Sequence, residues 1–448
     1  MTSTQRPRAA NVCVHCKARK KKCDKALPTC GYCARKGLKC QYRRPRFAPH
    51  HTKSIEGIAG NYQSLFSESE FNPTLYLNAA PHRSENTLSL EAQRIISTTG
   101  RYLDEISVRY FQIVHHYIPI VSRNRFQTTL ISFGATQEPE FAILLLAMCL
   151  VTSQSSPGTD VTSLYHSVRS LYLQAQTICK PSLSLIQAGI LLAVHEYSHR
   201  APEQALITIG GCVRMAHTAG LLRPTCPPTS GDSGTIQKND EQIDEQMNTW
   251  WAMSIYERMF LCEQTVVDQP LVSKMPDITL TSSAQNHDAF YQAAQAAWLL
   301  DRVLSTLSAP DSEDRHTRLQ GVNLKLQRFL AMVTELSSSS GTSTVYCWAI
   351  SVAIRALFLL HYRVLSDGQD GSERSANSSA VALDSLTRMV VDIADLHNRL
   401  SPDQVDALPP SCGYIIRVGL EHMQRKSCET DAAVKLLRLV DDRWGQGP

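Results

Sequence analysis

Six cysteines fall within 28 residues, at Cys13, Cys16, Cys23, Cys30, Cys33 and Cys40. They read C-x2-C-x6-C, then six residues, then C-x2-C-x6-C again. The same spacing twice is an internal repeat, and it implies two half-sites related by a pseudo-twofold axis. Thiolate is a preferred ligand of Zn²⁺, which takes four ligands in a tetrahedron. One metal would leave two of the six cysteines unused. Two metals need eight ligand positions, which six thiolates fill only if two of them bridge, and the pseudo-symmetry favours equivalent members of the two halves. Six thiolates at −1 and two Zn²⁺ at +2 leave a charge of −2, which a field of Lys and Arg would stabilise. Metal binding must also supply most of the folding free energy, because a segment this short and polar cannot build a core. A disulfide knot would need an oxidising compartment, and a redox C-x-x-C would need a βαβ context that the neighbouring residues lack.

Between Cys16 and Cys23 lies Lys17-Ala18-Arg19-Lys20-Lys21-Lys22, with five cations in six residues. A solvated charge run or a nuclear-import signal would account for it, and import does not compete with a second role. With metal tying both ends of the run, its side chains would leave a rigid body in fixed directions. Base readout requires that, since phosphate contacts position a protein and base-edge contacts specify sequence. Lys or Arg can donate to the O6 and N7 acceptors of guanine in the major groove. After the last cysteine, Tyr42-Arg43-Arg44-Pro45-Arg46 reads as an extended basic linker lying along the DNA backbone, with Arg43 and Arg44 as further contacts. The charge is divided to match: residues 1–53 hold 15 Lys/Arg against one acid, Asp24, a net +14, while the whole chain is +4 and the remainder therefore −10.

Residues 13–40 resemble the fungal Zn(II)2Cys6 binuclear zinc cluster, the DNA-binding head of a large class of fungal transcription factors. The resemblance implies two short helices around two structural Zn²⁺ ions, bridged by Cys13 and Cys30, with Pro28 helping to reverse the chain between the halves. It also implies that the end of the first helix reads a CGG triplet through the lysine aligned with Lys20, with Arg19 the adjacent candidate. Lys17, Lys21 and Lys22 then become phosphate contacts, supplemented by Arg35, Lys36 and Lys39. Many members continue into a heptad coiled coil, but residues 54–100 are polar, interrupted by Pro73 and Pro81, and carry no sustained apolar 3.5 period.

The elements that follow read as helices. Ile186, Ile190, Ala193, Val194 and Tyr197 recur on one helical face. Pro202 near the start and Gly220 just past the end bracket another stretch, with Ala205, Ile209, Val213 and Ala216 between them. Met247, Trp251, Ile255 and Met259 form a third stripe, with Trp250 and Cys262 beside it. No run alternates convincingly as strand. Three ordered segments of this body also resemble the fungal transcription factor regulatory domain: Tyr110 to Phe126, Ala188 to Pro224, and Trp250 through Arg258 to Pro270. Met247-Asn248 stand where that family usually has two arginines.

The 448 residues are 43% hydrophobic, enough to bury a core. The longest apolar run, Phe141 to Val151, falls short of the roughly 18 residues of a membrane span, and the first residues lead into no apolar signal region. The body shows no phosphate loop, no G-x-S-x-G and no H-E-x-x-H, so an enzyme is not expected. His115-His116 read as structural or surface residues, Trp250-Trp251 as core. Cys149, Cys179, Cys212, Cys226, Cys262, Cys347, Cys412 and Cys428 read as reduced thiols.

The expected organisation is a disordered N-terminus over 1–12, the zinc cluster over 13–40, and a basic then polar linker without clear coiled coil over 41–100. An all-α regulatory domain follows over 101–448, with disordered loops near 224–240 and 366–380. The expected function is a nuclear, sequence-specific DNA-binding transcription factor of RNA polymerase II genes, tied by resemblance to one pathway such as a secondary-metabolite gene cluster. Regulation of nutrient use or drug resistance is the alternative, as is a zinc-stapled module that binds protein or RNA. The expected partners are double-stranded DNA and transcription machinery or co-regulators, with no membrane. A homodimer and a small-molecule effector are left open.

Overall fold

Among the described residues no strand forms, and helix accounts for nearly all regular structure. The computed structural model describes residues 12–26, 29–38, 40, 85–136, 138–153, 160–221, 233–264, 269–275, 288–309, 313–339, 345–367, 373–401, 404–405, 407–425, 434 and 438. Contacts divide the chain into two units, Met1–Leu77 and Asn78–Pro448.

The first unit contains α1 (Val14–Ala18) and α2 (Gly31–Arg35). Helices this short do not hold in water on their own, because nucleation costs more than one turn of hydrogen bonds returns. Each is capped by a cysteine instead: Cys13 Sγ accepts from the Cys16 amide and Cys30 Sγ from the Cys33 amide, both at 3.4 Å. The same sulfurs lie in the unit's core, where Cys13, Cys16, Cys30 and Cys33 are fully buried and Tyr32 and Leu38 pack against them. Sulfur replaces the missing apolar core.

The second unit opens with α3 (Glu85–Thr98) and α4 (Leu103–Arg109), which runs into a π-helical turn, Tyr110–Val114. It continues through α5 (Arg123–Thr136), α6 (Pro139–Thr152), α7 (Val161–Ile178), α8 (Leu183–Ser198), α9 (Pro202–Ala219) and α10 (Ser233–Leu261). The last described helices are α11 (Ala289–Leu307), α12 (Glu313–Ser339), α13 (Cys347–Asp367), α14 (Glu373–His397) and α15 (Ser411–Arg425). One apolar cluster runs from Leu88 in α3 to Met423 in α15.

Helix α9 follows its sequence signals, with Pro202 at its first turn and Gly220 capping it at φ 71°. Helices α6 and α8 are buried all round. For α6 the unbroken apolar run accounts for this. For α8 the reason is position: it packs against α6, α7, α9 and α10, so the single expected face becomes a whole circumference. Its polar residues find partners there. Gln187 donates to the Glu245 carboxylate at 2.9 Å, and Glu196 accepts from Tyr165 at 3.1 Å and Thr208 at 2.7 Å and pairs with Arg169.

Three expectations need correction. The polar linker does not reach residue 100, because α3 occupies 85–98 with Leu88, Ala92, Ile95 and Ile96 buried against α6. These four recur at i, i+4, i+7 and i+8, a helical face that the surrounding polar residues hide when the segment is read as a whole. The loop expected near 224–240 ends by Ser233, where α10 begins, and that expected near 366–380 is interrupted by α14 from Glu373. Residues 1–11, 222–232 and 368–372 lie outside the described residues.

Helix α13 is long and apolar enough by length and composition to cross a membrane, at mean hydropathy 1.4, although no uninterrupted apolar run marks it. Within the fold it is a core helix, mostly buried, with α11, α12, α14 and α15 packed around it.

Two buried carboxylates fix the connections. Glu245 accepts from the Ser122 amide at 3.0 Å and forms an ion pair with Arg125 at 2.9 Å. Beside it, Asn248 donates to the Pro119 carbonyl at 3.1 Å, which gives the residue standing in place of the family's arginine a structural task. Glu257 accepts from the Val272 and Ser273 amides at 2.6 and 2.8 Å, and Arg258 reaches Asp301 at 2.8 Å and the Ser273 hydroxyl at 2.8 Å. A buried charge is tolerable when it is paired and hydrogen-bonded in this way.

Candidate zinc centre and nucleic-acid interface

The two N-cap cysteines define the geometry. Cys13, Cys16, Cys23 and Cys30 form one group of four sulfurs, and Cys13, Cys30, Cys33 and Cys40 form another, each within 4.8 Å. The groups share Cys13 and Cys30. Sulfur separations are 3.8 Å for Cys13–Cys30, 3.7 Å for Cys13–Cys33 and 3.7 Å for Cys16–Cys30. A tetrahedron with Zn–S bonds of about 2.3 Å has edges of roughly 3.8 Å, so the six sulfurs fit two zinc ions. Desolvation and then the neighbouring sulfurs push the thiol of Cys16 far above its ordinary value and that of Cys33 up to about 12. Packed this tightly without cations, Cys16 and Cys33 resist ionising, and a divalent metal supplies the compensating charge.

The basic run is not one helix. Lys17 and Ala18 end α1, Arg19 is its C-cap, and Lys20 takes the left-handed conformation at φ 50°. The Lys21 amide then bonds back to the Cys16 carbonyl at 3.0 Å, closing the turn. In the second half the Leu38 amide bonds to the Cys33 carbonyl at 2.9 Å, and Gly37 stands at φ 59°. Lys20 therefore occupies the position that its symmetry mate fills with glycine. Lys17, Arg19, Lys20, Lys21 and Lys22 are all exposed, as are Arg35 and Lys36. Arg43, Arg44, Lys39 and Pro28 lie outside the described residues.

Asp24 has a role that spacing did not reveal. Its carboxylate accepts from the Gly31 amide, with both oxygens at 3.0 Å, and from the Ala26 amide at 3.4 Å. The Gly31 hydrogen bond holds its carboxyl below the ordinary carboxylate range. A Cβ at Gly31 would stand 2.6 Å from Asp24 Oδ2, so glycine allows this approach. The available signal was chemical, since Asp24 is the single acid in a segment of 15 cations.

The other conspicuous residues are structural. Trp250 and Trp251 are each 1% exposed, and Trp250 Nε1 donates to the Lys274 carbonyl at 3.0 Å. The His115 ring packs edge-on against Phe111, and burial, with Arg123 and His116 adding to it, lowers its pKa to about 4. Cys149, Cys179, Cys212, Cys262, Cys347 and Cys412 are buried free thiols, and burial raises Cys212 to about 12 and Cys262 to about 11. Cys226 and Cys428 lie outside the described residues.

Comparison with known proteins agrees with this geometry. Residues 11–48 match the Fungal Zn(2)-Cys(6) binuclear cluster domain, and residues 108–262 match the Fungal specific transcription factor domain. Transcription factor BOA15 of Botryotinia fuckeliana is 31% identical over 29% of this chain and 73% of its own length. The azaphilone cluster-specific transcription factor azaR of Aspergillus niger is 23% identical over 51% of this chain and 52% of its own. The asperfuranone cluster transcription factor afoA of Emericella nidulans is 26% identical over 39% and 30%. The chain thus spans about half or less of the length of the latter two. No solved structure matches.

The chain belongs to the fungal Zn(2)-Cys(6) transcription factors. It is a DNA-binding transcription factor rather than an enzyme, its cluster domain holds two zinc ions, and the family implies a nuclear location.

Proposed function

We propose that Cys13 and Cys30 bridge the two zinc ions, with Cys16 and Cys23 completing one tetrahedron and Cys33 and Cys40 the other. The turn thereby held at Arg19–Lys20 reads a CGG-like triplet. The observation that carries this reading is the pair of four-sulfur groups sharing Cys13 and Cys30, with the exposed cations on the turn that leaves Cys16. Lys20 donates to guanine O6 and N7, with Arg19 beside it. Lys17, Lys21, Lys22, Arg43 and Arg44 contact phosphates and supply a salt-dependent, sequence-independent attraction. The zinc ions are structural: four sulfurs close each tetrahedron and leave no open position for substrate.

One triplet cannot specify a genomic address, so a second one is read by a homodimer or a partner protein. In the nucleus of a fungus the helical body recruits transcription machinery or co-regulators and responds to a small-molecule effector. The genes controlled are those of one secondary-metabolite biosynthetic cluster transcribed by RNA polymerase II. The names of the relatives, which include regulators of asperfuranone, azaphilone, tropolone and cercosporin clusters, support this.

Fluorescence anisotropy on CGG-containing and scrambled duplexes tests the assignment. Lys20→Ala is expected to lower affinity for the CGG duplex by about 1–3 kcal/mol and leave the scrambled duplex nearly unchanged. Equal losses on both would remove Lys20 from base readout. Chromatin immunoprecipitation in the native fungus then names the target cluster.

A further inference from the structure

A cleft of about 400 Å³ lies within the helical body where the ends of α8 and α10 meet the middles of α13 and α15. Its walls include Tyr197, Arg200, Glu263, Arg355, Tyr414 and Arg417. Three features distinguish it from a packing defect.

The first is Arg355, a cation in the middle of the apolar core helix α13. One of its Nη groups donates to the Cys262 carbonyl, and its guanidinium lies 4.7 Å from the centre of the Tyr414 ring, yet its buried Nε has no hydrogen-bond partner. Burying an arginine with an unused donor is costly unless an anion meets it.

The second is Arg200. It stands in the turn after α8 at φ 61°, and the Ala201 amide bonds to the Glu196 carbonyl at 2.9 Å, so it fills the left-handed position where helices prefer glycine. An arginine held against its backbone preference beside a cleft points to a use for its side chain.

The third is charge. Arg200, Arg355 and Arg417 face Glu263 and Glu421. Burial pushes the Glu263 carboxyl up to about 8, despite Tyr197 and the two arginines Arg355 and Arg417 favouring its ionised form. Three guanidinium groups thus line the cleft with two carboxyls, one of them pushed toward its neutral form. Tyr197 and Tyr414 are largely buried and add flat apolar wall.

We propose that this cleft is a binding site for a small organic carboxylate with an aromatic body. The carboxylate meets the guanidinium groups of Arg355, Arg200 and Arg417, and the ring lies against Tyr197 and Tyr414. The volume is of the size that encloses a small ligand. Binding ties four helices together, and its use as a regulatory signal, though not the binding itself, rests on the regulator reading above.

The test uses the full-length zinc-loaded protein with 2-naphthoate as probe and 2-naphthamide as its neutral isostere, followed by calorimetry and thermal melting. The acid is expected to bind one per chain and raise the melting temperature, with the amide about tenfold weaker. Arg200→Gly suits its left-handed backbone, so the unliganded variant should melt no lower than the parent while binding the acid about tenfold more weakly and the amide unchanged. Absence of binding at millimolar 2-naphthoate, equal affinity for acid and amide, or unaltered binding in Arg200→Gly each overturns the proposal. Anisotropy on the CGG duplex with the same samples separates the two readings. Carboxylate binding without CGG preference removes the regulator and leaves the site, and CGG preference without carboxylate binding removes only the site.

Discussion

Lys20 concentrates the residue-scale conflict between stability and function in the cluster. The internal repeat has an offset of 17 residues, which sets Cys13 against Cys30, Cys16 against Cys33 and Lys20 against Gly37. Both members of the last pair are left-handed, and only glycine adopts that backbone without strain. The turn was legible in principle, since a glycine in one half signals the backbone its partner position must adopt. What kept it hidden was the density of cations, which reads as a simple charge run. Lys20→Gly should relieve about 1 kcal/mol of backbone strain, so the zinc-loaded protein resists denaturant at least as well as the parent. The same variant should lose its preference for CGG over scrambled DNA. A less stable Lys20→Gly head, by chemical denaturation with zinc bound, would mean the lysine side chain supports the turn.

At the scale of elements, helices bounded by strong local chemistry were readable, as α9 with its proline and glycine shows. Others took their character from neighbours. Helix α3 presents the apolar residues Leu88, Ala92, Ile95 and Ile96 to the core within a polar stretch, and α8 is buried on every side because four helices surround it. The segment Leu271–Met275 has no helical signal and is held by side chains of α10, chiefly Glu257 and Arg258. Removing one member of such a buried set leaves the other charges without partners. Arg258→Ala is therefore expected to destabilise the helical body by about 3–5 kcal/mol in urea unfolding, with Asp301 and Glu257 left uncompensated. A loss below about 1 kcal/mol would show that water or a neighbour takes over its hydrogen bonds.

For the whole molecule, two units rely on two different sources of stability. The first has a core of cysteine sulfur, while the second buries one continuous apolar cluster and needs no metal for it. Chelation should therefore separate them. Treatment with 1,10-phenanthroline is expected to abolish DNA binding, reduce far-ultraviolet helix signal only slightly, and leave the principal melting transition in place. A shift of that transition by several degrees would show that the body also depends on zinc. Charge follows the same division, with +14 over residues 1–53 against −10 over the remainder, so the DNA attraction of the chain resides in its head.

The sequence by itself determined the zinc chemistry, the charge on the head and the helical class of the body. Those depend on residue type and short spacing, and a thiolate ligand or an apolar stripe carries its chemistry wherever the fold places it. Only the tertiary structure decided that Lys20 stands in a left-handed turn, that α3 belongs to the core, and that Arg200, Arg355 and Arg417 converge on one cleft. The outermost of these last residues, Arg200 and Arg417, stand 217 positions apart in the chain. Their meeting is a property of helix packing, which follows from the sum of many weak apolar contacts rather than from any local pattern.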